Sequence, residues 1–326
     1  MLLKVLFLHF VLANCENILL DSIPALDYGW LAENAESQKS NILGFLNKTR
    51  VKQEYKLMYY SLLSRLTGVR SVELTGSTRR IVYGQNTSIS SVPWQVSIRD
   101  RVYPICGGTI LTEIWIISAA HCLLRHLVAN LSIRLGSSWK SHGGEMYDVK
   151  ERLVHPSYLS SSKANDVGLL RLYSPLRFTN KILPLKLIDR EKRLLANKLA
   201  VVSGWGKIKE GGPSATYLQS SPIRTIPMKL CKRSALNRKA IDPASMFCAG
   251  SFIQSSPDAC QGDSGGPVAL EGELIGVVSW GLGCARGNFP GVYTRLSHPA
   301  IWDWVYNHIS SSNNTRLRIG DSELDV

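Results

Sequence analysis

No stretch of ~18 or more uncharged apolar residues occurs, which excludes a multi-span helical membrane protein. No pair of cysteines has the Cys-x-x-Cys spacing of common zinc and redox sites. Lysine and arginine exceed aspartate and glutamate by 38 to 25, a formal charge of +13, yet no long run such as a six-residue Lys/Arg block occurs. The cations are scattered, as at Arg99, Lys150, Lys181 and Lys229. That pattern fits solubility and loose polyanion affinity rather than a nucleic-acid surface, so no nucleic-acid partner is expected. Only 26 glycines and 14 prolines occur in 326 residues, which excludes collagen-like and low-complexity classes. With 44% hydrophobic residues the chain has apolar surface for a core, and wholesale disorder is excluded. The length suits about two compact units, or one large unit with a tail.

The seven cysteines are an odd number. Cys15 stands apart from Cys106, Cys122, Cys231, Cys248, Cys260 and Cys284. Leu2 to Ala13 is apolar apart from Lys4 and His9, too short to span a bilayer but suited to a secretory signal. Ala13 and Cys15 are small residues one apart, as expected before cleavage at Cys15–Glu16. Cleavage would leave six cysteines in an oxidising compartment, so disulfides and an extracellular location are expected, with no stable membrane insertion. Secretion also gives meaning to the sequons at Asn47, Asn86, Asn130 and Asn313.

Four stretches differ in character: a signal at 1–15, a leading segment at 16–80, a cysteine-rich region at 81–309 and a polar tail at 310–326. Within the second, Val51, Tyr55, Met58, Leu62 and Leu66 fall at helical spacing and predict one amphipathic helix in a partly helical or disordered segment. It ends in Gly76-Ser-Thr-Arg79-Arg80, a polar, basic loop open to proteases. From Ile81 onward short strand-like runs alternate with Gly, Pro, Ser and Asn: Trp94–Ile98, Trp115–Ser118, Leu131–Leu135, Val167–Leu172, Ala200–Ser203 and Leu274–Ser279. Many short strands with turn signals predict an all-β sandwich or barrel. Pro299 to Ile309 reads as a helix, with Pro at its start and Ile301, Trp304, Val305 and Ile309 apolar; Ser310 to Val326 reads as a mobile tail.

Three short elements carry chemistry. His121 follows Ala119-Ala120 and an apolar strand, Asp166 precedes another strand, and Ser264 lies within Gly262-Asp263-Ser264-Gly265-Gly266-Pro267. Glycines around a serine allow a tight turn that exposes the hydroxyl and lets backbone N–H groups converge on one point. A serine hydroxyl needs a base, and the base needs an orienting acid. The order His, Asp, Ser is that of one of the known triads.

Here the chain resembles the chymotrypsin-fold serine proteases, and among them the trypsin-like ones. The likeness runs from Ile81 to about Ile309 through IVYG at 81–84, PWQV at 93–96, CGGT at 106–109, SAAHC at 118–122, NDVGLLRL at 165–172, SGWG at 203–206, CQGDSGGP at 260–267, SWG at 279–281 and PGVYT at 290–294. The resemblance implies two antiparallel six-stranded β-barrels with a C-terminal helix. It implies His121 as general base and then acid, Asp166 as the group that fixes its tautomer, and Ser264 as nucleophile. The N–H groups of Gly262 and Ser264 would hold the oxyanion. Asp258, six residues before Ser264, would form the base of the primary specificity pocket, with Gly281 and Gly291 on its walls. A carboxylate at the end of such a slot selects Arg or Lys. Ala259 replaces a serine found in many trypsins, which removes a hydroxyl partner for lysine and leaves Arg preferred. All three triad residues are present, which separates the chain from protease homologues that act only as binding proteins.

The resemblance also implies the pairs Cys106–Cys122, Cys231–Cys248 and Cys260–Cys284. Ala200 and Leu270 stand at the two ends of a further family bridge, so both halves are absent together. Three bridges resemble the insect trypsin-like enzymes. Cleavage at Arg80–Ile81 would free an α-amino group to pair with Asp263. Tyr83 stands where many members have a glycine; a tyrosine is strained there if the site needs positive φ, and the departure is read as tolerated. Lys186 lies near where tethered members receive a pro-segment cysteine, so the segment is expected to leave. Ser-Ser-Trp after Gly136 lacks the carboxylates that bind calcium in some trypsins; no metal and no cofactor is expected. The partners implied are protein or peptide substrates carrying Arg or Lys, an activating protease and protein protease inhibitors, with the enzyme a monomer. The full chain should therefore be nearly inactive until an N-terminus appears at Ile81. The Arg80→Gln protein should stay silent towards Arg peptides when exposed to an activating protease, as followed by N-terminal sequencing and peptide hydrolysis together; an uncut variant as fast as the cut wild type would end this reading.

Overall fold

The computed structural model describes residues 84–234, 236, 241–250 and 258–320, of which 311–320 are described by backbone alone. The expected signal, the amphipathic helix, Arg80, Ile81 and Tyr83 lie outside the described residues. The chain enters through β1 (Gln85–Asn86) and then builds β2 (Gln95–Asp100), β3 (Tyr103–Ile110), β4 (Trp115–Ser118), β5 (Leu131–Leu135), β6 (Glu145–Val154) and β7 (Gly168–Leu172). These last six close on themselves in the order β2-β3-β4-β7-β6-β5, every pair antiparallel. A short β8 (Lys186–Leu187) leads to β9 (Leu199–Gly204), β10 (Gln219–Ile226), β11 (Met246–Gly250), β12 (Pro267–Leu270), β13 (Glu273–Trp280) and β14 (Gly291–Arg295). Strand β9 pairs with both β12 and β10, and this closes a second six-stranded antiparallel barrel. The double barrel expected from the sequence is therefore the fold.

Closure leaves no free edge in either barrel and buries the inward-facing side chains. In β5 the sequence LSIRL alternates buried and half-buried, as a one-sided strand must. The core is built largely of β-branched and leucine side chains, including Val96, Ile98, Ile116, Ile117, Leu169 and Leu170 on the strands of the first barrel and Val202, Val268 and Val277, with Tyr293, on those of the second. Gly108 makes β3 fit: a Cβ there would lie 2.9 Å from Val96 Cγ2 and 3.1 Å from Ile116 Cγ2. Disulfides join Cys106–Cys122, Cys231–Cys248 and Cys260–Cys284. Ala269 faces Val201 across the β9–β12 ladder, which puts Ala200 and Leu270 on adjacent strands where no bridge forms.

Two single-turn helices, α1 (Ala120–Leu123) and α2 (Met228–Cys231), precede the long α3 (Pro299–Gly320). Ile301 and Val305 of α3 are fully buried, and Trp302 Nε1–H donates to Ile188 C=O at 2.7 Å. The helix continues past the expected end at Ile309 to Gly320. Residues 310–319 contain neither Gly nor Pro, so nothing in the backbone chemistry stops the helix sooner. Among the described residues no helix is long and apolar enough to cross a membrane.

The seam between barrels is polar and specific. Ser203 Oγ of β9 donates to Gln95 Oε1 of β2 at 2.7 Å, with both residues buried. Gly107 N–H of β3 donates to Ser264 C=O at 2.8 Å, and a Cβ on Gly107 would lie 3.0 Å from Gly266 Cα. Leu170 faces Ile116 across β4–β7 and has no exposed surface. Leu170→Ala is expected to cost ~2–5 kcal/mol, read as a lower urea midpoint by tryptophan fluorescence, whereas Leu199→Ala, at a 52% exposed position of β9, should shift stability by under ~0.5 kcal/mol.

Candidate active site

Each site residue sits at the end of a strand or in a turn that faces the seam. His121 lies on α1, directly after β4. Asp166 immediately precedes β7, the strand paired with β4, so neighbouring strands deliver both residues together. Asp166 has no exposed surface. Its Oδ1 accepts the His121 backbone N–H at 2.9 Å, and its Oδ2 lies 2.7 Å from His121 Nδ1 and accepts Ser279 Oγ–H at 2.5 Å. Thr294 Oγ1–H caps the Asp166 carbonyl at 2.7 Å. A buried carboxylate with these donors is fully paired, which is what allows it to stay buried. Because a carboxylate only accepts, the proton of neutral His121 sits on Nδ1 and the Nε2 lone pair is left free.

Ser264 is half-buried, in a turn that only glycine permits on both sides. Gly262 has φ +97° and Gly265 has φ +78°. A Cβ on Gly265 would come within 2.1 Å of Ser118 Oγ and 2.6 Å of Gly107 C=O. The turn is pinned by Asp263 N–H to Cys260 C=O at 3.0 Å, Gly266 N–H to Asp263 C=O at 2.9 Å and Gly265 N–H to Val278 C=O at 2.8 Å. The N–H groups of Gly262 and Ser264 donate to no protein acceptor among the described residues. Two unspent donors flanking an accessible hydroxyl can receive an anionic oxygen. Ser264 and His121 are brought to one place through β3: Gly107 holds the Ser264 carbonyl, and its neighbour Cys106 is bonded to Cys122, next to His121.

Asp258 is 6% exposed. Its Oδ2 accepts Ala285 N–H at 2.9 Å, while Oδ1 is buried and, among the described residues, has no hydrogen-bond partner, as is true of the Tyr293 hydroxyl beside it. Burial pushes the Asp258 carboxyl up to about 7, against the Ala285 and Ala259 N–H groups, with Asp263 adding a smaller upward push. Tyr293 is driven well above its usual range, first by burial and then by Asp258. Gly291 keeps the space open, since a Cβ there would lie 2.7 Å from Tyr293 OH and 3.1 Å from Asp258 Oδ1. A Cβ on Gly281 would meet Gly283 C=O at 3.7 Å and Gly291 Cα at 4.0 Å, so the two glycines lie side by side, and the slot expected from the sequence would run past them to the carboxylate. A buried, unpaired acceptor at the foot of a narrow slot calls for a cationic donor. Asp263 is also buried; it accepts Gly206 N–H at 2.8 Å on Oδ1 and Cys260 N–H at 3.0 Å on Oδ2. Burial lifts it to about 6, against those bonds and a weaker pull from Lys140.

Cys106, His121 and Cys122 lie close enough together to suggest a metal cluster, but the two sulfurs are bonded to each other and supply no thiolate. The triad residues thus lie at the seam, and Asp258, Gly281 and Gly291 cluster together on the second barrel, while Arg80 and Ile81 lie outside the described residues. The sequence reading missed Ser279, Thr294 and Tyr293. Ser279 stands in the Ser-Trp-Gly motif, and that was its only signal.

Residues 81–305 match the Trypsin family. Among curated relatives, trypsin from Phaedon cochleariae is 35% identical over 71% of this chain and 89% of its own length. The vitellin-degrading protease of Bombyx mori is 37% identical over 73% of this chain and 88% of its own. Trypsin beta from Drosophila erecta is 40% identical over 70% of this chain and 88% of its own.

A cation entering the slot converts Asp258 to its ionised form. At pH 7, where the free carboxyl is about half protonated, a small amidinium ligand should expel roughly half a proton on binding, and affinity should fall about tenfold per unit well below that pH. Calorimetry in two buffers of different ionisation heat measures this directly; binding with no proton release from pH 6 to 8 would show that Asp258 is ionised beforehand.

Proposed function

The chain belongs to the trypsin family of serine endopeptidases, and from that premise we propose that it is a secreted zymogen which, once cut at Arg80–Ile81, hydrolyses proteins after Arg or Lys, with Arg preferred. The observation that carries this reading is the buried Asp258 with an unpartnered oxygen at the foot of a glycine-walled slot.

In the proposed mechanism an extended substrate chain lies along the seam with its Arg side chain in the slot. Its guanidinium can take the free Asp258 oxygen and form a paired, charge-assisted contact. His121 Nε2 takes the proton of Ser264 as Oγ adds to the scissile carbonyl carbon. Asp166 keeps the imidazole in the right tautomer and stabilises the imidazolium. The carbonyl oxygen becomes an oxyanion and accepts the N–H groups of Gly262 and Ser264, each such donor being worth ~2.7–4 kcal/mol in related chemistry. Collapse breaks the C–N bond while His121 gives its proton to the departing amine. Water, activated by the same imidazole, then adds to the acyl-enzyme and releases the acid and Ser264. Ser264 Oγ has no hydrogen bond among the described residues, so the Ser264–His121 contact is one that tightens with substrate.

Activation follows from Asp263. Its buried carboxylate has only backbone partners and a distant lysine, and the α-amino group of Ile81 would supply the missing cation. Secretion is supported by the apolar segment at 2–13 and by three disulfides.

The test is kcat/KM for matched peptides that differ only before the scissile bond. The activated enzyme should rank Arg over Lys by roughly tenfold and barely cut after Phe or Leu, because an ammonium loses a hydrogen bond at Ala259 that water replaces in part. Ala259→Ser should narrow the Arg-to-Lys ratio, and a fluorophosphonate should label wild type but not Ser264→Ala. A preference for Phe or Leu would overturn the slot assignment; labelling of Ser264→Ala would remove Ser264 as nucleophile.

A further inference from the structure

A cavity of about 230 Å³ opens beside the Ser264 turn, where Gln261 and Gly262 form part of its wall. Its walls include Cys106, Trp205, Gln261 and Gly262, and two lysines, Lys140 and Lys207. No carboxylate lines it.

Both lysines are held in place by their backbones. Lys140 N–H donates to Thr216 C=O at 3.0 Å, and Lys207 N–H donates to Gln261 C=O at 2.8 Å, one residue before the oxyanion donor Gly262. Lys140 Nζ donates to Trp205 C=O at 3.2 Å, which leaves its other two protons unassigned. Neither ammonium meets a carboxylate within ion-pair distance among the described residues. Asp263, whose charge reaches Lys140, is buried with both oxygens on backbone N–H groups. Burial holds Lys140 below the usual lysine range, with Arg99 adding to this and Asp263 opposing it. A half-buried ammonium that has lost water and found no anion gains when an anion arrives.

The cavity lies where the departing half of a substrate must run. His121 hands its proton to the leaving amine, so that half passes the imidazole, and Cys122 beside His121 is bonded to Cys106 in the cavity wall. Side chains of an extended chain alternate. If the Arg before the scissile bond points into the Asp258 slot, the next side chain points away and the one after it points back to the protein. We propose that this cavity is an anion-selecting subsite, in which Lys140 and Lys207 choose Glu or Asp at the second residue beyond the scissile bond. The inference rests on the endopeptidase reading above and deepens it: the enzyme would select a basic residue on one side of the cut and an acidic one on the other.

The test uses the activated enzyme and internally quenched peptides with Arg before the bond and Glu, Gln or Lys two residues after it. A peptidyl-Arg aminocoumarin, with no amino acid after the bond, reports the endopeptidase activity alone. The expected order of kcat/KM is Glu, then Gln, then Lys, with Glu over Lys by about tenfold for one charge-assisted contact in a half-exposed site. The ratio should shrink in 0.5 M salt, as screening requires. It should also shrink in Lys140→Met and in Lys207→Gln, and approach one in the double variant. A ratio measured within one protein cancels any loss of active fraction, so poor folding of a variant does not imitate the effect. Equal rates for the three peptides, with the coumarin substrate turned over, would overturn the subsite alone. Failure to turn over the coumarin substrate would overturn the endopeptidase reading and the subsite with it.

Discussion

The burial of Asp166 is the constraint around which the two barrels are organised. A carboxylate without access to water is stable only if donors replace its hydration shell. Here the donors come from both halves of the molecule: His121 from the first barrel, and Ser279 on the second. Thr294 of the second barrel secures the same residue's carbonyl. Separating the barrels would strand that charge. The seam therefore cannot relax by small amounts, and the orientation of His121 is inherited from the packing of whole sheets. A site held this way is placed by strands rather than by loop conformation, which is the condition for sub-ångström positioning.

Three buried carboxylates have been given different surroundings. Asp166 is saturated with side-chain and backbone donors. Asp263 has backbone donors on both oxygens but no cation in contact, and burial lifts it to about 6. Asp258 keeps one oxygen empty and rises to about 7. The degree of pairing sorts them into a saturated scaffold, a group held by backbone donors, and a group with an unmatched oxygen; in the function proposed above the last two await cations, one from the same chain and one from outside. One residue type thus serves three purposes, set by how many N–H and O–H groups point at it.

Much of this was legible before any coordinates. Of the six strand-like runs read from Trp94 to Ser279, four lie wholly within strands and two, at Trp94 and Val167, start one residue early. β-branched and aromatic residues in short buried runs have few other uses. The strands that escaped notice are those whose composition works against the signal. β3 contains Pro104 and two glycines, β10 contains Pro222, and β6 carries Glu145, Asp148, Lys150, Glu151 and Arg152 on largely exposed positions. The glycines of β3 are demanded by contacts with other strands, which no local pattern can reveal. The triad was readable because each member stands in a distinctive short motif. Ser279 and Tyr293 were not, since a serine and a tyrosine in buried strands reveal their partners only once the barrels close. The end of α3 was misjudged because polar residues were taken for a loop, although no residue there breaks a helix.

The three disulfides span 16, 17 and 24 residues, and each closes within one barrel. Among the described residues, then, the strands of the first barrel are joined covalently to those of the second by the backbone that runs from β7 to β9, and by the segment that leads from β1, paired with β10, into β2. The connection from β7 to β9 is exposed from 189 to 193 and includes Arg190, Lys192 and Arg193. Arg190 is engaged by Asp303 of α3, and Lys192 by Glu273 of β13. A single cut there would change the molecularity of the native state. One chain would become two, and the seam would have to hold them against the translational freedom that a continuous backbone withholds. His121 and Ser264 would then belong to different molecules, and the lifetime of the enzyme would be set by the dissociation of a dimer of its own halves.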